Sequence, residues 1–299
     1  MTEIATTAIL DNFELTDPAL TADHLPYCTL CIELNMHYLQ FCIVENISSQ
    51  CRWLASYRFS SPQTRNSLLI QVQNIIEQHP LLIQAGLGNI VVSFHSPSFT
   101  YVPAPLFRAD LSNEYLGLML PQGLHPEDQV YEDKLRIIDA HAVFSAPSVV
   151  VNWFTNHYPD KTIRFCHHTE PLIYATITEN YHTITGRRAN IITENNRLTL
   201  IIVEGPRFIF GNSFPYTTPE ELTYLVLYVM NQLDIEPAHI KIILHGDTFA
   251  GSGEHKELCR FFPDVEMGKK PQSLSYSHRI NDVEAYRFYN LLNTYFMVF

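Results

Sequence analysis

The chain has 299 residues, 46% of them apolar and 17% charged, which is the composition of a globular protein and excludes a disordered one. The net charge of −12 disfavours general nucleic-acid binding, because a negative surface repels phosphate backbones. No apolar run reaches the roughly 18 to 20 residues that span a bilayer, and the N-terminal stretch 1–17 carries four acids without a basic start. We therefore expect a cytoplasmic protein without membrane insertion, whose six cysteines are reduced.

Residues 1–24 are expected to form a loose leader ahead of the first core strand. Three short β patterns with turn-length gaps then predict an antiparallel meander, and a one-faced apolar stripe predicts a helix before a further buried strand. In chain order these are YCTLCIEL (27–34), YLQFCIVE (38–45), RWLASYRF (52–59), the helical positions Leu68, Leu69, Val72, Ile75 and Ile76, and NIVVSFH (89–95). The order of elements is β-β-β-α-β.

The same order recurs in the second half. Asn195-Asn196 and Gly205-Pro206 provide hairpin turns between its strands, and Thr218 is a candidate helix N-cap followed by Pro219 and by Glu221 of a capping box. The predicted elements are ANIITE (189–194), RLTLIIVE (197–204), RFIFGNSF (207–214), the helical positions Leu222, Leu225, Val226, Val229, Met230 and Leu233, and HIKIILHG (239–246).

This internal duplication predicts an α/β protein with mixed sheets of order βββαβα, the arrangement of the ribonuclease-H-like fold. Two such units in tandem look like the actin-like ATPase fold. Residues 25–185 are predicted as the first domain and 186–299 as the second. Additional α/β material at about 97–168 predicts a small insert in the first half, and it resembles the inserted subdomain of the cell-division and type IV pilus actin homologues.

Three stretches carry a closer resemblance: SPSFTYVPAPLF (96–107), NEYLGLMLP (113–121) and ILHGD (243–247). They resemble an uncharacterised Bacteroidetes family, a domain of unknown function assigned to the actin-like ATPase clan. The resemblance covers the chain from about residue 25. It implies the actin-like fold and no established activity.

The stretch IILHGDTFAGSG (242–253) runs from a buried strand into a glycine-rich loop, as many phosphate-binding loops do. Gly246 and Gly251 have the spacing of a Walker P-loop, but Ser252 stands where the phosphate-binding lysine would be. The G-x-G-x-x-G pattern of a dinucleotide-binding fold is also absent. These two kinds of nucleotide site are therefore excluded.

In ATP-binding actin-like proteins, an Asp-x-Gly turn in the first hairpin of each half wraps the phosphates, and a Gly-Gly pair after the fourth strand holds the adenosine. At the matching positions this chain has no Asp-x-Gly turn, and an acid follows the first glycine of the pair. The positions that would ring a nucleotide are Glu33, Asn35, Glu194, Asn195, Gly246 and Asp247. An added carboxylate beside a nucleotide is unfavourable without a cation, so the resemblance implies a pseudo-ATPase.

The alternative for the glycine loop is a plain turn, in which Gly246 ends the strand and Ser252 caps a short helix, GEHKELCRFF. If instead a nucleotide binds at this loop, Gly246→Trp should abolish binding and leave a folded protein, and an unchanged affinity would exclude the site. We predict the plain turn.

Other candidate chemistry is weak. Cys28 and Cys31 lie three apart on a predicted strand and point to opposite faces, which favours core cysteines over a redox or zinc site. Adjacent His167 and His168 point apart in the same way, so no metal site is predicted. Ser252 lacks the G-x-S-x-G frame of a hydrolase, and no catalytic residue is predicted.

The sequence therefore predicts a non-catalytic interaction or platform protein with a protein partner and no cofactor. The alternative is a nucleotide-binding actin-like ATPase that uses ATP and Mg²⁺ at the six positions above. A sugar or metabolite kinase would need the same loops and a catalytic carboxylate that the sequence does not reveal. The aromatic C-terminus, NDVEAYRFYNLLNTYFMVF (281–299), is predicted as a helix that packs on a sheet, and the alternative is an exposed element that binds a protein.

Overall fold

The computed structural model describes residues 9–83, 86–120, 123–181 and 186–298. Contacts between residues divide the chain into two compact units. Unit 1 takes its described residues from Met1–His168, Gln272–Val283 and Thr294–Phe299, and unit 2 takes them from Thr169–Pro271 and Glu284–Asn293. The domain limits expected from the sequence remain a prediction.

Both units combine strands and helices, and in each unit a run of three strands precedes a helix. The strands are β1 (Ile9–Thr16), β2 (Cys28–Leu34), β3 (Tyr38–Glu45), β4 (Gln50–Phe59), β5 (Asn89–Phe94), β6 (Phe99–Pro103), β7 (Asp128–Leu135), β8 (Ala140–Pro147), β9 (Ile163–His167), β10 (Arg187–Glu194), β11 (Arg197–Glu204), β12 (Arg207–Pro215), β13 (Ile240–Gly246), β14 (Val265–Met267) and β15 (Ser275–Tyr276). The helices are α1 (Arg65–Gln78), α2 (Ser112–Gly117), α3 (Ser148–His157), α4 (Thr169–Asn180), α5 (Pro219–Gln232), α6 (Gly253–Phe261), α7 (His278–Asn281) and α8 (Tyr289–Asn293).

Unit 1 is built on a mixed sheet of order β1-β4-β3-β2-β5-β9. The predicted meander is confirmed, because β2, β3 and β4 pair antiparallel and β5 joins β2 in parallel through the crossover helix α1. Helix α1 buries Leu68, Val72 and Ile76 against this sheet, as its one-faced apolar stripe requires. The expectation of a loose leader is wrong for residues 9–16, which form β1 along the outer edge of β4.

The predicted insert is a three-stranded antiparallel sheet of order β6-β8-β7 covered by α2. Its small core is centred on Val102, Leu116 and Val143. The chain returns to the main sheet of unit 1 through α3 and β9, where β9 pairs in parallel with β5.

Unit 2 repeats the arrangement in a sheet of order β12-β11-β10-β13-β14. The side chain of Thr218 accepts a hydrogen bond from the Glu221 amide, so it caps α5 as predicted. The Glu221 carboxylate accepts its bond from the Thr217 amide at 2.7 Å. Alternation along β10 separates two faces: Ala189 and Ile191 join the core with α5, whereas Asn190 points towards α4.

The C-terminal segment is packed, as predicted, but it is not one continuous helix. A 3-10 turn at Ala285–Phe288, the short α8 and a second 3-10 turn at Thr294–Val298 follow one another. Tyr289, Leu292 and Tyr295 are each at most 2% exposed. Across the residues that the structure describes, no helix has both the length and the hydropathy to cross a membrane.

Candidate functional site

The first hairpin of unit 1 holds Glu33 and Asn35, the two positions that the sequence assigns to a phosphate contact. The Asn35 side-chain oxygen accepts bonds from the amides of His37 at 2.7 Å and Tyr38 at 3.0 Å. This is an Asx turn, in which an asparagine side chain organises the backbone that follows it. The carboxamide oxygen of Asn35 therefore stabilises the hairpin itself.

Glu33 is buried beneath this turn, with 1% of its surface exposed. The Tyr38 hydroxyl donates a hydrogen bond of 2.9 Å to its carboxylate and lies 3.3 Å from Nδ1 of His95. Burial, together with the nearby His95, lowers the pKa of His37. The hairpin thus sits on a buried Glu–Tyr–His network, which is rigid only while its members satisfy one another.

A cavity of about 160 Å³ opens beside this hairpin within unit 1. Arg65 of α1 and Asp128 of β7 form one wall through two parallel hydrogen bonds of 3.0 and 2.9 Å. Leu34 and Phe94 supply apolar lining, and Ser145 contributes a hydroxyl from the insert. Pockets for drug-sized molecules usually measure about 300 to 1,000 Å³, so this cavity fits one or two side chains better than a nucleotide.

The first hairpin of unit 2 turns at Asn195 and Asn196. Both residues have left-handed backbones, with φ of 48° and 58°, as a two-residue hairpin turn of the mirror-image type requires. Glu194 at the end of β10 is 8% exposed. The side-chain nitrogen of Asn195 is buried and has no hydrogen-bond partner among the described residues.

Gly246 lies next to this hairpin, because β10 and β13 run parallel and Thr193 is paired with Gly246. Its φ is 93°, and a Cβ there would lie only 2.2 Å from the Thr193 carbonyl oxygen. The Asp247 amide donates a 2.6 Å bond to that same oxygen. The need for glycine therefore arises from a strand-to-strand contact inside unit 2, and Gly246→Trp would disturb the sheet itself. The expectation that this variant folds normally is wrong.

The rest of the glycine-rich stretch closes on itself, as the plain-turn interpretation predicts. The hydroxyls of Thr248 and Ser252 lie 2.7 Å apart, and the Ser252 hydroxyl accepts the His255 amide at the start of α6. Gly251 has a φ of 91° with nothing within 4 Å of its Cβ position. The structure thus brings Glu194, Asn195, Gly246 and Asp247 together at the carboxyl ends of two parallel strands.

The paired histidines 167 and 168 belong to the interior of unit 1. Nε2 of His167 lies 2.9 Å from the Ser96 carbonyl, and complete burial lowers the pKa of His167 to about 3. The ring of His168 stacks on His95 at 3.7 Å between centroids. The prediction that the two rings point apart is wrong: β9 ends at His167, the two ring centroids lie 4.3 Å from each other, and both rings lie close to Phe99.

The cysteines are free thiols, and five of the six are buried. Burial raises the pKa of Cys28 to about 11, which keeps this thiol protonated and unreactive. Cys31 lies opposite Cys42 in the β2–β3 pair. The prediction of core cysteines is confirmed for the C-x-x-C pair.

Sequence reasoning missed three residues that shape the two hairpins: Tyr38, His95 and Thr193. Tyr38 could have been found from the hairpin register. Glu33 pairs with Gln40 of β3, and Tyr38 lies two residues before Gln40 on the same strand. His95 is 57 residues from Tyr38, and no local pattern reveals that contact.

A duplicated meander with parallel crossover strands, and a polar hairpin turn in each unit, define the class of actin-like ATPase-fold proteins. The solved structures agree. A Bacteroides thetaiotaomicron VPI-5482 protein with an actin-like ATPase fold and unknown function is similar, with a TM-score of 0.70 and 19% identity over 83% of this chain and 93% of that one. The PilM–PilN type IV pilus biogenesis complex is also similar, with a TM-score of 0.64 and 10% identity over 90% of this chain and 98% of that one.

The family follows from a second comparison. Residues 17–265 match the family described as "Protein of unknown function (DUF3822)", and the chain belongs to that family. Among curated proteins, none matches the chain at a significant level. The predicted fold and the predicted kind of family are both confirmed.

Proposed function

We propose that this protein is a non-catalytic, cytoplasmic interaction protein that uses the actin-like fold to hold a protein partner. The observation that carries the proposal is that the polar side chains of the first hairpin bond within unit 1 and that both hairpins lack a glycine. The Asn35 side chain stabilises its own turn, and the Glu33 carboxylate is buried with Tyr38. Neither hairpin has the glycine that would let a phosphate approach the backbone.

Gly246 supports the same conclusion. A glycine after the fourth strand would favour an adenosine contact if nothing else required it. Here the Thr193 carbonyl occupies the space that a side chain would need. The glycine is therefore explained by folding, and it no longer favours a nucleotide.

The similarity to the PilM–PilN complex supports a partner-binding role, because in that complex a protein of this fold is assembled with a second protein. The argument is one of fold and does not identify the partner.

A nucleotide-binding protein is the second candidate, and one observation favours it. The Asn195 side-chain nitrogen is a buried donor without a partner among the described residues, and it lies at the turn that would face a phosphate. With Mg²⁺ to offset the nearby acids, ATP would contact Glu33, Asn35, Glu194, Asn195, Gly246 and Asp247.

Thermal melting with and without millimolar Mg-ATP tests the proposal. A ligand at about 100 times its Kd stabilises the native state by about 2.7 kcal/mol. For chains of this size that raises the Tm by roughly 2 to 4 °C per kcal/mol. We expect the Tm in Mg-ATP to equal the Tm in MgCl₂ alone.

The Asn195→Ala variant makes the test specific. A rise of several degrees in the natural chain that disappears in Asn195→Ala would establish the nucleotide site and overturn the interaction-only proposal. A rise that persists in the variant would also overturn it and would place the nucleotide elsewhere.

A further inference from the structure

The cavity beside the first hairpin of unit 1 lies where α/β sheets usually bind small molecules. Strands β2 and β5 are parallel neighbours, and Leu34 and Phe94, the last residues of these strands, both line the cavity. Open α/β sheets bind their ligands outside the carboxyl ends of parallel strands. Ser145 and Pro147 of the insert cover this edge of the sheet, and the whole lining belongs to unit 1.

The size and the walls of the cavity select a small, mostly apolar ligand. Its volume is about 160 Å³, and an apolar protein cavity of about 150 Å³ binds benzene. The lining side chains Leu34, Leu68 and Phe94 are at most 3% exposed, and the cavity is more enclosed than open. A benzene-sized group therefore fits whole, whereas a peptide segment that enters and leaves again would need a wider mouth.

Asn35 and Arg65 give the cavity one polar side. Nε and Nη2 of Arg65 bond the two carboxylate oxygens of Asp128, and its third guanidinium nitrogen, Nη1, has no hydrogen-bond partner among the described residues. The Asn35 side-chain oxygen accepts two backbone amides, and its side-chain nitrogen bonds to nothing in the described part of the chain. Two N–H donors in a mostly apolar lining match a ligand that carries one oxygen acceptor.

The charges on this side favour an uncharged acceptor. Arg65 and Asp128 neutralise each other through their paired bonds, so the two together attract no anion. A ligand carboxylate at Nη1 of Arg65 would also lie close to the Asp128 carboxylate, and like charges repel strongly in an enclosed site. A carbonyl or carboxamide oxygen accepts the same hydrogen bonds without that repulsion.

We propose that this cavity binds a small uncharged molecule with a benzene-sized apolar body and one carbonyl oxygen. The apolar body packs against Leu34, Leu68 and Phe94, and the oxygen accepts hydrogen bonds from Asn35 and Arg65. The inference goes beyond the proposed protein partner and does not depend on it, because the ligand occupies a cavity inside unit 1 and not a surface of the protein.

Methyl NMR of the full chain labelled at its methionines, titrated with benzamide, tests the inference. Met36 lines the cavity, and the other described methionines do not. Benzamide combines the ring with an uncharged oxygen, and for about nine non-hydrogen atoms we expect a Kd of about 1 mM or lower. The Met36 signal, assigned with Met36→Leu, should shift to saturation while the other methionine signals stay unchanged.

Benzoate is the matched control ligand, because it replaces the carboxamide with a carboxylate of similar shape. We expect it to bind at least about tenfold more weakly at neutral pH. Ser145→Leu should fill part of the cavity and also weaken benzamide at least about tenfold. The same change at Ser60, which is exposed and outside the lining, should leave the affinity unchanged.

The two ligands on the natural chain decide the question even if Ser145→Leu does not fold. A Met36 signal that does not move at saturating benzamide solubility would overturn the inference, and equal binding of benzoate would contradict the uncharged acceptor. A shift that persists in folded Ser145→Leu would place the ligand elsewhere. If N-acetylphenylalanine amide bound more tightly than benzamide, the cavity would be a site for a side chain of a partner protein, and the small-molecule inference would be wrong.

Discussion

Gly246→Ala should destabilise unit 2 by about 3 to 5 kcal/mol, whereas Gly251→Ala should cost only about 1 to 2 kcal/mol. The two glycines form a matched pair, since their φ angles are 93° and 91°. A left-handed backbone penalises alanine equally at both positions. Only at Gly246 would the new methyl group also meet a backbone atom, the Thr193 oxygen at 2.2 Å, and only there must the paired strands move apart.

Urea unfolding followed by far-UV circular dichroism measures both costs. Tryptophan fluorescence is the internal control, because it reports the unfolding of unit 1, to which Trp53 and Trp153, the two tryptophans of the chain, both belong. Both glycines lie in unit 2. Equal losses in the two variants would mean that the close approach at Gly246 contributes nothing. In that case the explanation of this glycine by folding, and its weight in the proposed function, would fail.

The elements that the sequence predicts well are those whose signals are local. Helix α5 is an example: Thr218 caps it, Pro219 starts it and a single apolar stripe buries Leu222 and Val226. The duplicated strand order follows in the same way, because each strand is a short apolar run bounded by turn residues. These signals lie within a few residues of the structure they determine.

The elements that the sequence predicts wrongly depend on contacts with residues far away in the chain. Strand β1 has alternating residues, but it becomes a strand through pairing with β4, some forty residues along the chain. The C-terminal segment 281–299 has no glycine or proline to mark a break, so its local pattern suggests one helix, whereas the structure has 3-10 turns on both sides of α8 and buries Tyr289 and Tyr295.

The candidate site shows the same limit. The sequence locates both hairpin turns and Gly246, yet it does not reveal which groups these residues contact. Only the structure shows that Asn35 bonds back to its own turn and that Gly246 closely approaches Thr193. Local sequence patterns predict the positions of the polar residues, but the contacts of these residues depend on parts of the chain that are distant in sequence.

Lowering the pH from about 6.5 to about 5 should reduce the free energy of unfolding by about 1.4 kcal/mol per pH unit for each of two buried histidines. Burial lowers the pKa of both His167 and His245 to about 3. An unfolded histidine takes up a proton near pH 6.5, whereas these two stay neutral in the native state. Unfolding therefore binds protons throughout this window, and stability is lost as the pH falls.

His245 is the clearer of the two positions. Its ring stacks on Tyr289 at 3.8 Å, and within the described chain neither ring nitrogen has a hydrogen-bond partner. Phenylalanine keeps the aromatic contact and loses no hydrogen bond. We expect His245→Phe to remove about 1.4 kcal/mol per pH unit from the slope, even if tight packing against Gly268 lowers its stability at neutral pH.

Urea unfolding at several values between pH 7.5 and 5, followed by circular dichroism, measures that slope. This range lies above the pH at which carboxylates with lowered pKa, such as Glu45 and Glu266, begin to take up protons. His239→Gln is the matched control in unit 2, because the His239 side chain is 67% exposed and the change should leave the slope intact. If His245→Phe and the natural chain had the same slope, His245 would have to be protonated or hydrogen-bonded in the native state. That result would contradict the conclusion that His245 is buried, neutral and without a hydrogen bond in the native state.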